Sequence, residues 1–266
     1  MSSIIINPYA FGVRKTLLQI LEENSLTTSL QLCLDAGDAV SYPGTGQNFV
    51  DRSGNTVDYF LGATSGSEAS DPTFNGTAGG CSETEYFSFD GGDYFTSQAA
   101  TTFDDGWHKN NGIFSAMLAF FVTTANIATA HRFLNNDVDN NATDGTDIGM
   151  LATAKPRVSI SGTSNGSATS VTADVPNLFV VAYDESVPQV RVKLNSNAVE
   201  QAAAAASTNV NNAPNSLRIG ARGNAGVPVP NGTRIYMVAA WNRYLSSAEM
   251  DTLSAALKLY RLPSMP

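Results

Sequence analysis

The chain has 266 residues and a formal net charge of −9, from 15 basic and 24 acidic residues. This length supports one large all-β domain or two small ones without disulfide or metal staples. The basic residues are scattered, and nucleic-acid affinity depends mostly on Lys and Arg that neutralise phosphates, so no direct binding to DNA or RNA is expected. No apolar run reaches the roughly 18 residues that a membrane span needs, and no membrane insertion is expected.

Uncharged polar residues dominate the sequence. Charged residues make up 15% of the chain, well below the typical share of about a quarter. Cys33 and Cys81 allow at most one internal bridge, and the strand-like surroundings of Cys33 favour a reduced thiol packed in a core. The first eight residues lack the basic and long apolar regions of a secretory signal, so synthesis in the cytoplasm is expected.

Apolar residues near the N-terminus recur at helical spacing. They are Phe11, Leu17, Leu18 and Leu21. With Asn7 as the cap and Pro8 in the first turn, the pattern predicts a helix over residues 8–23. Its apolar face must be buried, either on its own domain or on a partner protein. Residues 1–27 are therefore assigned as a helical attachment segment, with these four side chains as candidate partner-binding residues.

From residue 28 the apolar period changes to two, which is typical of strands. Strands are predicted for residues 30–34, 85–89, 94–97, 112–123, 130–134, 147–152, 157–161, 177–184, 189–194, 216–221 and 234–241. Turn formers such as Asn165-Gly166 and Asn231-Gly232 lie between them. Many short strands without alternating helices predict an all-β fold, an antiparallel two-sheet sandwich.

A second amphipathic helix is predicted near the C-terminus. Ser246 and Glu249 form the pattern of a capping box. Apolar residues follow at helical spacing and are Met250, Leu253, Leu257 and Tyr260. Pro263 prevents continuation, and we expect the helix to lie across a sheet edge or face. Residues 201–207 are compatible with either a short helix or a loop.

Several segments, read in order, resemble the laminin-G-like, concanavalin-A-like jelly-roll family. They are residues 32–37 (LCLDAG), 41–46 (SYPGTG), 50–55 (VDRSGN), 89–94 (FDGGDY), 217–220 (LRIG), 232–236 (GTRIY) and 241–250 (WNRYLSSAEM). The match spans about residues 28–262, and Arg52 and Thr56 depart from the family's usual Asp-Leu-Ser-Gly-Asn-Gly-Asn. The resemblance implies a jelly-roll domain over residues 28–266, of a kind that binds glycans or proteins and sometimes forms a bacteriophage virion module.

No catalytic pattern is well supported. A glycosidase needs two carboxylates flanking the scissile bond, and related glucanases carry Glu-x-Asp-x-x-Glu, which does not occur here. Glu83 and Glu85 would share one side of a strand, but no third acid follows. His108 and His131 are far apart and lack the spacing of metal ligands. We therefore expect a protein that is not an enzyme.

Two weak binding sites are suggested by composition. Hard oxygen ligands for calcium are available at Asp137, Asp139 and Asp144, although the EF-hand pattern fails and a solvated acidic loop is the favoured alternative. Trp107 and His108 lie in a polar loop, where a large ring either binds a glycan or anchors the loop by burial, the latter being favoured. Trp241 is predicted to lie in the core.

The favoured hypothesis is a non-enzymatic bacteriophage virion structural protein, a capsid decoration, head-fibre or tail component. Most glycan-binding sandwiches are exported, whereas a virion protein made in the cytoplasm is released by lysis. Its expected partners are other virion proteins and host-surface glycans, and a homo-oligomer is plausible. A cellular lectin or adhesin is the first alternative, and a glycoside hydrolase is the second.

Overall fold

Sheets dominate the computed structural model, which describes residues 13–98, 103–137, 144–160, 163–204, 207 and 209–266. Within these residues, sheet A has eight strands: β1 (Leu30–Asp35), β4 (Thr73–Asn75), β5 (Tyr86–Ser88), β7 (Ile113–Phe121), β12 (Pro176–Asp184), β13 (Gln189–Leu194), β14 (Glu200–Ala203) and β16 (Arg234–Trp241). Sheet B, in the same described part, also has eight: β2 (Asn48–Phe49), β3 (Tyr59–Leu61), β6 (Phe95–Ser97), β8 (His131–Asn135), β9 (Thr146–Met150), β10 (Pro156–Ile160), β11 (Thr163–Gly166) and β15 (Arg218–Ile219). The helices are α1 (Leu17–Glu23) and α2 (Ser247–Tyr260).

The strand pairs are antiparallel, and the two sheets pack face to face around one large core. Sheet A runs in the order β14-β13-β12-β7-β16-β5-β4, and sheet B in the order β11-β10-β9-β8-β15-β6-β3-β2. Strand β16 pairs with β7 along one edge and with β5 and β1, one after the other, along its opposite edge. The predicted all-β sandwich with a helix near each end is confirmed.

A third layer covers the outer face of sheet A. Successive side chains of strand β7 point to opposite faces of the sheet. Phe114 and Leu118 face the core between the sheets, whereas Met117 and Ala119 face the helices. Burial on both faces explains why this strand reads as an almost unbroken apolar run. No helix in the described part of the chain is long and apolar enough to cross a membrane.

Helix α1 begins later than predicted. Thr16 is its N-cap and forms a capping box with Gln19, a signal that competes with the Asn7-Pro8 start assumed from sequence. Residues 13–16 are not helical, and Phe11 lies outside the described residues. Leu17 and Leu21 are fully buried and Leu18 partly buried against their own domain. For these three residues, the structure shows the self-docked alternative rather than a face open to a partner.

Helix α2 has the predicted boundaries. Ser246 caps it through a reciprocal capping box with Glu249, and the helix ends at Tyr260. Its apolar residues Met250, Leu253 and Leu257 are fully buried on the outer face of sheet A. Trp241 is buried as predicted, and its indole N–H donates to the Leu26 carbonyl at 2.7 Å.

The predicted strands correspond to observed strands, with boundaries that differ by a few residues. Sequence reasoning missed the short β2, β3 and β4, because two or three residues show no measurable alternation. It also placed a turn at Asn165-Gly166, which lies in β11. The undecided stretch after residue 200 begins as β14.

Both cysteines are free and buried, in agreement with the expected reduced thiols. Burial raises the pKa of Cys33 well above its usual value, and nearby carboxylates act in the same direction. Burial likewise raises the pKa of Cys81.

The loop after β2 is built around one carboxylate. Asp51 accepts hydrogen bonds from the backbone N–H groups of Cys33, Ser53 and Val57 at 2.8–3.2 Å. Thr56 has φ of +56° in this turn, at the position where the family pattern has glycine. A β-branched residue is strained in this left-handed region.

A buried ion pair joins three distant segments. The Arg261 guanidinium forms two hydrogen bonds with the Asp35 carboxylate, at 2.8 and 3.0 Å, and both side chains are almost fully buried. The same carboxylate accepts from the backbone N–H of Leu17 at 2.8 Å, and Arg261 also donates to the Lys15 carbonyl at 3.2 Å. Gly37 leaves room for the guanidinium, because a Cβ there would lie 2.5 Å from Arg261 Nη2.

Replacing Arg261 with methionine should lower the free energy of unfolding by about 3–5 kcal/mol, because the Asp35 charge would stay buried without its partner. Chemical denaturation measures this change. The matched control is Arg243→Met, which removes a partly exposed pair with Glu249 and should cost at most about 1 kcal/mol. Equal losses in the two variants would contradict the assigned role of Arg261.

Replacing Thr56 with glycine should raise the free energy of unfolding by up to about 1 kcal/mol, because glycine adopts positive φ without steric cost. The control is Thr27→Gly, at an exposed threonine outside the left-handed region, which should be neutral or destabilising. A loss of stability in Thr56→Gly would show that the turn is not strained.

Candidate functional site

The predicted glycan-binding pair is buried. Trp107 stacks on Phe114 with ring centroids 4.3 Å apart and an interplanar angle of 8°. Its indole N–H donates to Asn242 Oδ1 at 3.3 Å. His108 is fully buried, and burial lowers its pKa. The Trp107 ring therefore anchors its loop and presents no face to a sugar.

Two of the three predicted calcium ligands, Asp137 and Asp144, lie in the described residues. Asp137 is buried, and its backbone N–H donates to Asn135 Oδ1 at 2.9 Å. Asp144 instead accepts from the side-chain amide of Asn209, and Asp139 lies outside the described residues. No group of three His, Cys, Asp or Glu that could hold a metal ion occurs in the part of the chain that the structure describes.

The two glutamates considered for catalysis serve as structural acceptors. Glu85 is buried and accepts from the Ser82 backbone N–H at 2.7 Å and from Thr84 Oγ1 at 2.8 Å. Although burial opposes its ionisation, hydrogen bonds from Thr84 and Ser82 leave its pKa below the usual range. Glu83 accepts from the backbone and hydroxyl of Ser264.

The two outer faces of the sandwich differ in chemistry. The face of sheet A is apolar and covered by the helices, whereas the face of sheet B carries a row of polar side chains. The strand register places in this row Asn48, Phe60, Thr96, Arg218, Asn135, Asp147, Ser159 and Ser164. Because neighbouring strands are about 4.8 Å apart, the row crosses roughly 34 Å of surface.

One end of this row is accessible. Phe60, Thr96 and Arg218 are each half-buried on neighbouring strands, and Asn48 is exposed at the end. Tyr94 lies beside them, with the Arg218 guanidinium carbon 4.7 Å from its ring centroid. The Thr96 hydroxyl and Arg218 Nε are buried and have no hydrogen-bond partner in the described part of the chain. We name Phe60, Tyr94, Thr96 and Arg218 the aromatic–arginine patch.

The adjoining part of the row is buried and charged. Asp147 Oδ2 lies 2.6 Å from Arg157 and 3.3 Å from Arg132, so two guanidinium groups share one carboxylate oxygen. Arg157 also donates to Ser164 Oγ at 2.9 Å. Gly149 lies between the two arginines in the register, and a Cβ there would clash with the His131 carbonyl oxygen.

Burial affects the ionisation of groups in and beside the patch. It lowers the pKa of Arg218 below the usual value, while Tyr94 opposes the change. Burial also raises the pKa of Asp93 from its ordinary 3.8 to about 7; the backbone N–H of Asp90 opposes this shift, whereas the carboxylates of Asp90 and Asp71 add to it. The Asp93 carboxyl consequently carries less negative charge beside Tyr94 at neutral pH than an ordinary aspartate would.

A groove of about 530 Å³ lies on the other side of the sandwich, beside α2. Lys193 lines it, but its ammonium group already donates to Asp251 Oδ1 at 2.7 Å and to the Asn197 carbonyl at 2.6 Å. These contacts join α2 to the end of β13. The Lys193 ammonium group therefore already has hydrogen-bond acceptors within the protein, unlike Nε of Arg218 in the aromatic–arginine patch.

Sequence reasoning missed the patch because its residues are spread over more than 150 positions of the chain. Phe60 and Arg218 meet only through the order β15-β6-β3 in sheet B. A local signal exists in the segment Leu217-Arg218-Ile219-Gly220, where a charged residue interrupts an apolar strand. Such alternation is typical of an outward-facing side chain, but it does not identify the neighbours of that side chain.

No sequence family matches this chain, and no curated protein resembles it in sequence. Solved structures resemble it in fold. The binding domain of botulinum neurotoxin serotype D has a TM-score of 0.59 at 11% identity, covering 88% of this chain and 53% of that one. A Trypanosoma rangeli sialidase in complex with sialic acid has a TM-score of 0.58 at 12% identity, covering 92% and 38%.

A third similar structure is the binding domain of Paraclostridial Mosquitocidal Protein 1, with a TM-score of 0.57 at 10% identity, covering 86% of this chain and 52% of that one. The chain thus spans about half of the two binding-domain structures and 38% of the sialidase. At these identities the likeness concerns the fold, and it agrees with the sandwich described above.

Proposed function

We propose that this chain is a non-enzymatic β-sandwich that binds glycans through the outer face of sheet B, and that it is displayed on a bacteriophage particle. The observation that carries the glycan-binding proposal is the aromatic–arginine patch. It combines two half-buried aromatic rings with the Thr96 hydroxyl and with Arg218, whose Nε has no hydrogen-bond partner among the described residues.

This combination suits a sugar ring. An aromatic side chain offers a large apolar face, against which the C–H groups of a sugar can pack. The half-buried Arg218 guanidinium beside that face carries N–H donors that can bind the hydroxyl groups of a sugar. The accessible strands from β2 to β15 extend roughly 14 Å, so the patch can contact more than one sugar ring.

Similar structures support this proposal at the level of fold. Two of them are named as binding domains, and a third is a sialidase in complex with sialic acid. Proteins that handle carbohydrates thus occur among sandwiches of related shape. The role of the present chain still depends on its own residues, because one fold hosts many functions.

A binding role fits the carboxylates better than catalysis does. Glu85 is held as an acceptor by Ser82 and Thr84, and Asp147 is engaged by two guanidinium groups. A retaining or inverting glycosidase needs one carboxyl that donates a proton and a second one across the bond. Neither residue is arranged to be that donor.

The virion part of the proposal rests on composition and on the family resemblance. Charged residues make up 15% of the chain, and uncharged polar loops suit the exterior of a particle. Because Leu17 and Leu21 are buried on their own domain, the attachment element must lie elsewhere. Of the four candidate anchor residues, Phe11 is the one that precedes the described residues.

Replacing Phe60 with alanine should weaken glycan binding by about tenfold, since truncating a central aromatic contact commonly costs more than 1 kcal/mol. A glycan array followed by calorimetry on the best ligand measures this loss. The control is Leu259→Ala, which removes an exposed apolar side chain from α2 on the opposite side. Failure of the wild-type chain to bind any glycan, or unchanged binding by Phe60→Ala, would contradict the proposed face.

Removing residues 1–12 should abolish co-sedimentation with phage particles assembled without this protein, while the melting temperature stays unchanged. This shorter deletion leaves α1 and its contact with Asp35 in place, whereas a deletion to residue 25 would uncover sheet A. Equal binding by both chains would support a virion role with the anchor on the sandwich. Binding by neither chain would contradict the virion proposal.

A further inference from the structure

We infer that the glycan is anionic and that Arg218 binds its carboxylate or sulfate group. This inference rests on the proposed glycan-binding function and adds the chemical class of the ligand. The described charged side chains on the outer face of sheet B include more arginines than carboxylates, whereas the whole chain has a net negative charge.

Arg218 is a half-buried cation whose contacts leave its charge unpaired. Its guanidinium carbon lies 4.7 Å from the centre of the Tyr94 ring, and its Nε atom is buried without a hydrogen-bond partner. No ion pair involving Arg218 occurs among the described residues. A desolvated guanidinium group normally has an acceptor, so an acceptor supplied by a ligand would complete its contacts.

Three other half-buried arginines, Arg52, Arg191 and Arg243, have acceptors within the protein. Arg52 pairs with Asp38 at 3.1 Å, and Arg243 pairs with Glu249 at 2.7 Å. Arg191 gives the sharpest comparison, because it also lies over a tyrosine ring, that of Tyr244, at 4.4 Å. Its guanidinium nevertheless donates to Gln201 Oε1 and to the Leu245 carbonyl. Arg218 has the same stacking without these acceptors.

The neighbouring charges on this face do not neutralise Arg218. Arg132 and Arg157 share the single carboxylate of Asp147, and Asp137 lies close enough to influence Arg157 electrostatically. Among the described residues of this row and its direct neighbours, three guanidinium groups (Arg132, Arg157 and Arg218) lie near two carboxylates (Asp137 and Asp147), on a chain whose net charge is −9. The local excess of positive charge favours an anionic ligand, and its effect decreases at high salt.

Guanidinium chemistry specifies which part of the ligand is recognised. Its planar fork of N–H donors matches the two oxygens of a carboxylate, or two oxygens of a sulfate ester, and the resulting charge-assisted hydrogen bonds are about twice as strong as neutral ones. Phe60 lies on the same face, one strand beyond Thr96. The sugar ring would therefore pack on the aromatic side chains while its acidic group points at Arg218.

The test measures binding of trigalacturonate, of its methyl ester and of a sulfated galactose trisaccharide by calorimetry. Wild-type protein should bind the acid or the sulfate ester at least about tenfold more tightly than the uncharged methyl ester. Arg218→Gln keeps hydrogen-bonding capacity without the charge and should remove this preference. The matched variant Arg191→Gln should keep it, and thermal melting checks that both variants are folded.

The outcomes separate the two proposals. Equal binding of acid and ester, or an anion preference that persists in Arg218→Gln, would overturn the inference and leave glycan binding intact. Absence of binding to these three probes and to every glycan of the array would overturn the proposed function as well. A preference for the sulfate ester over the carboxylate, lost in Arg218→Gln, would support the inference and identify the acidic group.

Discussion

The carboxylate of Asp35 and the guanidinium of Arg261 meet where the end of β1, the start of α1 and the end of α2 converge. Taking two charges out of water is costly, and their mutual attraction offsets that cost only with good geometry and further hydrogen bonds. Here the carboxylate also accepts the backbone N–H groups of Leu17 and Gly37. The pair fixes where both helices lie on sheet A, and the apolar contacts of the helix layer follow from that placement.

Covering sheet A has a consequence for function. Since the helices bury one outer face of the sandwich, the accessible end of the outer face of sheet B is where a ligand can lie. The side chains of its row alternate with core residues such as Phe95 and Ile219, which belong to the same strands. Structural and binding residues are therefore adjacent in sequence, and the pleat of the strand separates their roles.

The sequence allowed the class of fold, most long strands and the second helix to be predicted, because each has a local signal. Strand β16 was predicted with its observed bounds, and Ser246 with Glu249 correctly marked the start of α2. The start of α1 was wrong, since Asn7-Pro8 and Thr16 both resemble helix starts and only packing distinguishes them. The sequence left two roles open for Trp107, binding a glycan or anchoring its loop by burial. The Trp107 ring is buried and stacks on Phe114, which agrees with the second role. The aromatic–arginine patch could not be predicted, because it depends on strand order rather than on any local pattern.

The position of β16 also has a consequence for how the protein folds. This strand ends at residue 241, yet it lies in the middle of sheet A and pairs with β7, β5 and β1. During synthesis, β1 cannot pair until β16 is made, because β16 is its only strand partner among the described residues. Such pairings between distant parts of a chain form slowly. Sheet A therefore closes only when nearly the whole chain has left the ribosome, and shortened N-terminal fragments would expose unpaired strand edges that are prone to aggregation.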